Sequence, residues 1–421
     1  MPKFVTRRAV LGGGAAALGS LALGSGRAAR AQGNDPIRIG ILLPLTGSQA
    51  SYSPDCQLSA QIAVDQINAA GGILGRKLEI VFRDDKANPN AAIAAAKELM
   101  GEGINLLIGG LNTPSALAIA GIMPDAKCVL ITIGSVADSL THESFNRNFF
   151  RITDSAYSRA QAQARLAAEK YPEITQWGGI LPDVEFGHAL WRSYTHGLKQ
   201  FYPELAKADP EIADPVLFKF GAIDFKNQIA GLVRQPVEGV YQSLTGEDFL
   251  TMINQSRPFG LTKKIKVFMD LSGELIFAKI LKQNLPENFW SGSHWYYGSY
   301  LNIPTGKALY DEYVKRTGDR YPTGYIGPAH MALHAYAHAI KAAGNTETDA
   351  VINALEGVEF ESAKGMISFR KEDHQVISDI NIIKLGPKDN DLGWEVSDHA
   401  KVPGKDLLGP ATPGKPLTIE G

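Results

Sequence analysis

The chain contains 421 residues, 44% of them hydrophobic, which is enough for two domains of ordinary size that each have a core. Its 42 basic and 44 acidic residues leave a formal net charge of -2. Because the two signs balance, the composition argues against nucleic acid or an anionic membrane as a partner.

The N-terminal residues differ in character from the rest. Arg7 and Arg8 precede an uncharged stretch of small and apolar residues, 9–26, and an A-x-A cleavage pattern ends at Ala31. This arrangement is typical of a twin-arginine signal peptide, so residues 1–31 are expected to be removed by cleavage near Ala31. The stretch is too weakly apolar for a membrane span. The sequence therefore predicts a soluble, exported protein.

From Ile37 onward, apolar runs of strand length alternate with patterns of helical period. In the first half, strands are predicted at residues 37–44, 78–82, 104–109 and 128–134, and helices at 54–70, 89–100 and 115–123. After Asp154 the alternation restarts, with strands near 177–181, 216–220, 237–243 and 265–269 and helices near 155–170, 189–201, 226–234 and 248–256. Continuous apolar strands joined by helices indicate parallel sheets covered on both faces. The predicted fold class is therefore α/β, with two doubly wound, Rossmann-like lobes and a ligand cleft between them.

The motifs of common enzyme classes are missing from the sequence. It contains no GxxxxGK[ST], GxSxG, HExxH or CxxC pattern, and we expect neither catalysis nor a cofactor. His330, His334 and His338 recur at a spacing that suits a shared metal ion. A helical wheel places them opposite the predicted buried face, beside Lys341, so we interpret them as a solvated stripe and expect no metal site.

Two further features concern the core. Cys56 and Cys128 are predicted at opposite ends and edges of the first sheet, so we expect both to be buried and unpaired. The aromatic run WSGSHWYYGSY, residues 290–300, has two interpretations. It is either a strand with alternating aromatic faces or a cleft-lining segment whose rings stack on a ligand. The Pro- and Gly-rich residues past Pro403 are expected to wrap the surface or to remain loose.

The stretch GGLNTPSALA joins a predicted strand to a predicted helix. Thr113 is the expected N-cap and is followed by a first-turn proline, so free N–H groups and the positive end of the helix dipole point outward. Such an end binds a carboxylate or a phosphate. Capping by Thr113 and Ser115 alone accounts equally well for the spacing, and both interpretations stay open. Gly134 and Ser135, at the end of the next strand, supply further donors.

Together these residues resemble the exported solute-binding proteins of ABC importers, in particular the leucine/isoleucine/valine-binding family of type I periplasmic binding proteins. The most specific segments are IGILLPLTG, DQINAAGGILGRKLEIVFRDDKANPNAA, LLIGGLNTPSALA and FRITDSAYS. The resemblance implies two lobes that are joined by a three-crossing hinge and close over a ligand. Carried onto this chain, it assigns residues 35–152 plus 300–378 to lobe 1, 153–299 plus 379–402 to lobe 2, and 403–421 to a C-terminal tail.

The family also implies a ligand site. Its members hold the ligand's carboxylate with a hydroxyl after the third strand and with main chain plus hydroxyl after the fourth, and an aromatic side chain from the first loop covers the ligand. Val136 stands where a hydroxyl is usual, and Phe186 replaces a usual tyrosine across the cleft. The ligand-binding residues predicted by this match are Tyr52, Leu111, Asn112, Thr113, Ser115, Gly134, Ser135, Val136, Tyr157, Phe186, Ser243, Asp270 and Leu271.

One departure from the family bears on the identity of the ligand. Amino-acid binders place an acidic residue against the ligand's ammonium group, and this chain has Leu271 at that position, with Asp270 one place away. If Asp270 points into the cleft, an amino acid remains suitable. If it does not, a carboxylate without an amine, such as an aromatic or keto acid, fits better, and Val136 and Phe186 favour this second case.

The resemblance implies a monomeric, non-catalytic periplasmic protein that captures a small carboxylate-bearing ligand and delivers it to an ABC permease in the inner membrane. Lobe closure would sequester the ligand through a population shift. A periplasmic sensor without transport is the alternative, and a cryptic hydrolase is much less favoured, since no histidine is expected beside the hydroxyls near Gly134.

Overall fold

The computed structural model describes residues 35–419 except residues 48, 220 and 272, and from Pro36 onward the described residues belong to one compact unit. The predicted signal peptide lies outside the described residues. The strands are β1 (Ile37–Leu43), β2 (Leu78–Asp84), β3 (Leu106–Gly109), β4 (Val129–Thr132), β5 (Phe149–Arg151), β6 (Gln176–Pro182), β7 (Glu211–Ile212), β8 (Val216–Phe218), β9 (Gly239–Gln242), β10 (Val267–Asp270), β11 (Phe289–Ser293), β12 (Glu359–Ser362), β13 (Gly365–Phe369), β14 (Val376–Ile377), β15 (Ile380–Pro387) and β16 (Trp394–Val402). The α-helices are α1 (Ser53–Ala69), α2 (Pro89–Gly101), α3 (Thr113–Ala126), α4 (Ala156–Lys170), α5 (Glu185–Phe201), α6 (Lys226–Arg234), α7 (Gly246–Ser256), α8 (Leu261–Lys264), α9 (Glu274–Leu281), α10 (Tyr297–Tyr300), α11 (Pro304–Thr317), α12 (Ile326–Ala343) and α13 (Thr348–Leu355).

The first sheet has the strand order β2-β1-β3-β4-β5, and all its neighbouring strands are parallel. Its central strands β1 and β3 are buried on both faces, since one apolar cluster includes Ile39 and Ile108 and another includes Leu42 and Leu107. The predicted cap of α2 is present, because the Asn88 side chain accepts hydrogen bonds from the first turn. This is the doubly wound sheet that the apolar runs predicted.

The second sheet has the order β16-β15-β11-β10-β9-β6-β7, with β8 also paired to β6. From β6 to β11 its neighbouring strands are parallel, whereas β15 and β16 add antiparallel pairs at one edge. A small antiparallel sheet, β12-β13-β14, packs with the core of the first sheet. The predicted α/β fold with two parallel-sheet lobes is therefore confirmed.

The chain passes between the two large sheets after β5, after β11 and between β14 and β15. These passages lie close to the three crossings that the resemblance implied, near residues 152–154, 297–303 and 378–382. The assignment of individual residues to the two lobes stays a prediction.

The three histidines of α12 are not a solvated stripe, and that prediction is wrong. His330 is 1% exposed, and its Nε2 lies 2.7 Å from Oε1 of Gln66 on α1. The His334 ring lies 4.4 Å from that of His330, and the His338 ring lies 5.7 Å from that of Phe360. The helix is covered on two sides, by the first sheet and by α1 with β12, which a single-face helical wheel does not anticipate.

The two cysteines and several side chains of the aromatic run lie in the core. Cys56 and Cys128 are both buried and free, as predicted. Trp290 lies in a core cluster of the second sheet, and Trp295 and Tyr300 lie in that of the first, so the aromatic run supplies core side chains. Within the described part of the chain, no helix is long and apolar enough to cross a bilayer.

Candidate ligand-binding cleft

A cavity of about 720 Å³ opens at the carboxyl ends of the strands and is lined by residues that follow strands of both large sheets. Its volume lies in the range of small-molecule sites, and the carboxyl ends of parallel strands are where open α/β sheets bind ligands. Most of the predicted ligand-binding residues line it: Tyr52, Leu111, Asn112, Thr113, Gly134, Ser135, Val136, Phe186 and Leu271. Contact of these side chains with a ligand stays a prediction.

Two hydroxyl groups meet at one wall of this cavity. Oγ1 of Thr113, the first residue of α3, lies 3.1 Å from Oγ of Ser135 in the loop after β4. The helix is capped by Asn112, whose Oδ1 accepts the Ser115 amide at 2.9 Å. The prediction that Thr113 is the N-cap is therefore wrong by one residue. Because Asn112 does the capping, the Thr113 hydroxyl is available to the cavity.

The glycines of this region allow the two loops to approach each other closely. Gly110 has a φ of +70°, and a Cβ at that position would lie 2.8 Å from Cβ of Ala116. A Cβ on Gly134 would lie 2.6 Å from Cδ2 of Leu111. A side chain at Gly110 would collide with α3, and one at Gly134 would push the loop after β4 away from the loop after β3. The glycines therefore hold the hydroxyls of Thr113 and Ser135 within contact distance.

Three of the predicted residues lie near the cavity but do not line it. Ser115 follows Thr113 by about 200° around α3, so it is buried against the sheet. Ser243 still belongs to the body of the second sheet, since its amide donates to the Ile180 carbonyl at 3.2 Å. The Tyr157 ring is covered by the C-terminal tail, where a Cβ on Gly409 would lie 2.8 Å from Tyr157 Cε1. None of the three lines the cavity, and their contact with a ligand stays a prediction.

Asp270 does not point into the cavity either. It is fully buried at the end of β10, where its carboxylate accepts hydrogen bonds from the side chains of Gln242 and Ser291 and from the Gly273 amide at 2.7 Å. Its role here is to bind the turn between β10 and α9. Leu271, one residue later, lines the cavity in its place.

A histidine that sequence reasoning missed also lines the cavity. His294 follows β11, and its Nδ1 lies 3.0 Å from Nη2 of Arg159 but 3.7 Å from Oδ1 of Asp154, which is too long for a hydrogen bond. Burial, reinforced by the charge of Arg159, lowers the pKa of His294 to about 4. The ring is therefore neutral at pH 7 and carries its proton on Nε2. The available signal was its position immediately after a strand of the sheet.

Arg159 connects this histidine to the rest of the cavity wall. Its Nη2 and Nε bind the two oxygens of Asp154 at 2.7 and 2.5 Å, and its Nη1 donates to the Leu271 carbonyl at 3.1 Å. Arginine and aspartate are both buried. The ion pair of Asp154 and Arg159 therefore joins α4, the loop after β10 and His294 at the passage between the two sheets.

Acidic and basic groups also line the cavity. Glu143, Glu185 and Arg192 line it, and Arg192 binds Glu185 at 2.5 Å. Asp138 also lines it; burial raises the pKa of this carboxyl, although Arg151 opposes the change. Among the described residues, no group of three or more His, Cys, Asp and Glu side chains is placed to hold a metal ion.

A match over most of the chain identifies the family. Residues 36–390 match the family model for periplasmic binding proteins. The chain belongs to the periplasmic binding protein family. This match covers the first sheet and all strands of the second sheet except β16, and it confirms the resemblance to the type I, leucine/isoleucine/valine-binding group.

Individual relatives agree with this assignment. The leucine-, isoleucine-, valine-, threonine- and alanine-binding protein of Pseudomonas aeruginosa is 25% identical over 353 residues, which cover 82% of this chain and 88% of that protein. The closed conformation of a protein with the same description from Brucella ovis has a TM-score of 0.77 at 19% identity, covering 91% of this chain and 100% of that one. A solute-binding protein of an ABC transporter from Rhodopseudomonas palustris, in complex with 3,4-dihydroxybenzoic acid, has a TM-score of 0.72 at 19% identity, with coverage of 88% and 98%.

The periplasmic binding protein described here is thus a solute-binding protein and not an enzyme, as the missing motifs suggested. His294 and the hydroxyls of Thr113 and Ser135 line one cavity, which corrects the expectation that no histidine lies in the cleft. The engagement of His294 Nδ1 by Arg159 suits a hydrogen-bonding wall and does not suit a general base.

Proposed function

We propose that this periplasmic binding protein is exported to the periplasm, captures a small carboxylic acid with an apolar body and delivers it to an ABC permease. The paired hydroxyls of Thr113 and Ser135 carry the proposal. They lie at the N-terminus of α3, where the positive end of the helix dipole stabilises a negative charge. A ligand carboxylate placed there would receive hydrogen bonds from both loops.

Aromatic and branched side chains in the same cavity support an apolar ligand body. Tyr52, Val136, Phe186 and Leu271 line the cavity. The Tyr52 ring lies 4.7 Å from that of Tyr325, so the two form a continuous aromatic surface. Aromatic and branched side chains contribute most of the binding free energy in sites of this kind.

The placement of Asp270 supports an acid that lacks an α-amino group. Its carboxylate is fully buried and binds Gln242, Ser291 and Gly273, so it is not available to a ligand's ammonium group. Leu271 presents an apolar surface instead. The architecture suits such a ligand, since the Rhodopseudomonas palustris protein of the same fold is described in complex with an aromatic acid.

One observation favours the second candidate, an amino acid. Asp138, Glu143 and Glu185 line the same cavity and are able to pair with an ammonium group. The relatives from Pseudomonas aeruginosa and Brucella ovis are described as binding leucine, isoleucine, valine, threonine and alanine. The proposal for an amine-free acid therefore needs a test in which only the amine changes.

Matched ligand pairs provide that test. Thermal unfolding is measured with leucine against 4-methyl-2-oxopentanoate and with phenylalanine against phenylpyruvate, and benzoate and leucinamide complete the set. The oxo acids are expected to raise the melting temperature, since a ligand at about 100 times its Kd adds roughly 2.7 kcal/mol to the free energy of unfolding. A shift with the amino acids alone would establish the second candidate. A shift with leucinamide alone would reject the carboxylate site altogether.

The hydroxyl pair is tested by Thr113→Val, which keeps the shape of the side chain and removes its oxygen. We expect the affinity for the acid that binds to fall by a factor of more than about 10, because a hydrogen bond to a charged group contributes roughly 1.5–3 kcal/mol. Isothermal titration calorimetry measures the change, and Thr113→Ser, which retains the hydroxyl, is the matched control. Equal affinities for the wild-type protein and the valine variant would mean that Thr113 does not contact the ligand.

A further inference from the structure

The C-terminal segment lies beyond residues 36–390, which match the family, and we call its residues 403–419 the strap. The strap begins where β16 ends, at the edge of the second sheet. A 3-10 turn at Lys405–Leu407 buries the Leu407 side chain in the same apolar cluster as α4. The Pro- and Gly-rich composition predicted a tail that wraps the surface or is loose, and the specific contacts of the described strap agree with the first alternative.

Beyond this turn the strap is held by residues on the side of the first sheet. Nη1 of Arg370, which follows β13, donates to the Gly409 carbonyl at 2.8 Å. His142, which follows β4 in the chain, makes two contacts: its Nδ1 lies 2.7 Å from Oγ1 of Thr412, and its carbonyl accepts the Gly414 amide at 2.7 Å. The strap therefore runs from the second sheet to the first and links the two across the cleft.

The end of the strap forms one wall of the ligand cavity. Pro416, Leu417 and Ile419 line it together with Phe186 and Leu271. The cavity retains about 720 Å³ with the strap in this position, which is ample for a small acid. The strap is therefore placed as a wall of the site and not as a plug that fills it.

We propose that the strap completes the ligand-binding site, with Leu417 and Ile419 contacting the apolar body of the bound acid and closing the side of the cavity through which it would otherwise escape. The placement of the strap is independent of the ligand's identity, whereas the chemistry of the acid rests on the proposed function. Removal of the two apolar side chains exposes the ligand to water and lowers the area that it buries. The strap thereby discriminates among acids by size and slows their release.

A first experiment tests the placement of the strap without any ligand. Hydrogen–deuterium exchange of the mature chain is followed at the Gly414 amide, which donates to the His142 carbonyl. Exchange at least 10-fold slower than in an unstructured peptide is expected, and Thr412→Val, which removes one anchor, is expected to accelerate it. Exchange at the unstructured rate in the wild-type protein would overturn the proposal.

A second experiment tests contact with the ligand. The double variant Leu417→Ser/Ile419→Ser is compared with Ile223→Ser, which alters an apolar side chain that is 88% exposed and does not line the cavity. Phenylpyruvate and 4-methyl-2-oxopentanoate are the probes, and calorimetry and stopped-flow fluorescence give Kd and the dissociation rate. The double variant is expected to bind at least 10-fold more weakly, with most of the change in the dissociation rate, whereas Ile223→Ser binds as the wild-type protein does.

The possible outcomes separate the strap from the proposed function. Unchanged affinity and dissociation rate in the double variant would overturn the strap proposal and leave the carboxylate site intact. Tighter binding would also overturn it, because the strap would then be a competing plug. If neither acid binds to the full chain, the proposed function fails, and the exchange rate at Gly414 decides the placement of the strap by itself.

Discussion

Asp154→Asn is expected to lower the free energy of unfolding by about 3–5 kcal/mol, because it leaves the buried Arg159 charge without a counter-ion. Burial opposes ionisation of Asp154, but the charge of Arg159 dominates and holds the pKa of that carboxyl well below its usual range. Arg159 also holds the Leu271 carbonyl and His294, so the variant should loosen the cavity wall and weaken ligand binding. Urea unfolding followed by circular dichroism measures the loss of stability.

Two controls belong with this measurement. Glu169→Gln breaks an exposed ion pair with Arg165 on the same helix, α4, and should cost only about 0.3–0.5 kcal/mol. Asp154→Leu combined with Arg159→Met removes both buried charges and should recover part of the loss. If Asp154→Asn costs no more than Glu169→Gln, the ion pair does not support the passage between the sheets.

Glu274 is expected to make the stability of the protein fall as pH rises from 5 to 8. It is fully buried, and burial raises its pKa to about 8, against a usual value near 4.3. Hydrogen bonds from Gly324 and Ser293 and the charge of Arg159 oppose this shift without cancelling it. Since the folded-state pKa is the higher one, the stabilisation is complete below about pH 4 and is lost as pH passes through 8.

The geometry agrees with a protonated carboxyl. Oγ of Ser293 lies 2.8 Å from the Trp295 carbonyl and 3.0 Å from Oε2 of Glu274, and the Gly324 amide donates to the same Oε2 at 2.5 Å. The Ser293 hydroxyl and the Gly324 amide both donate to Oε2, whereas Oε1 of Glu274 is buried with no hydrogen-bond partner among the described residues, a situation that costs a neutral carboxyl less than a carboxylate.

The measurement compares the wild-type protein with Glu274→Gln, which is neutral at every pH. The free energy of unfolding of the wild-type protein, minus that of the variant, should decrease by about 2–4 kcal/mol between pH 5 and pH 8. Glu98→Gln is the control for the substitution, because the Glu98 side chain is 65% exposed. If the difference between the two free energies of unfolding did not change between pH 5 and pH 8, Glu274 would be ionised throughout this range, and other contacts would compensate for the cost of burying its charge.

The sequence predicted the strands and most helices of both sheets because their apolar runs are continuous and their boundaries carry local signals. The cap of α2 at Asn88 is an example, and so is the glycine pair at Gly109 and Gly110, which ends β3. The start of α3 was assigned to Thr113 where the structure has Asn112, because both residue types are good caps and only the hydrogen bond to Ser115 distinguishes them.

Side chains whose surroundings come from distant segments were predicted less well. The histidines of α12 depend on α1, which covers them, and the orientation of Asp270 depends on Gln242 and Ser291 of neighbouring strands. His294 reaches the cavity because α4 supplies Arg159 to hold its ring. Periodicity along one element carries no information about such partners.

The sequence by itself determined the family, the α/β class and the loops after β3 and β4 that supply the proposed carboxylate site, because these depend on local patterns. The tertiary structure decided which side chains point into the cavity, because their orientation depends on packing between elements that lie far apart in the chain. It also decided the position of the strap, whose anchors at His142 and Arg370 lie far away in the sequence. Only the folded chain brings Leu417 and Ile419 to the cavity that Thr113 and Ser135 share.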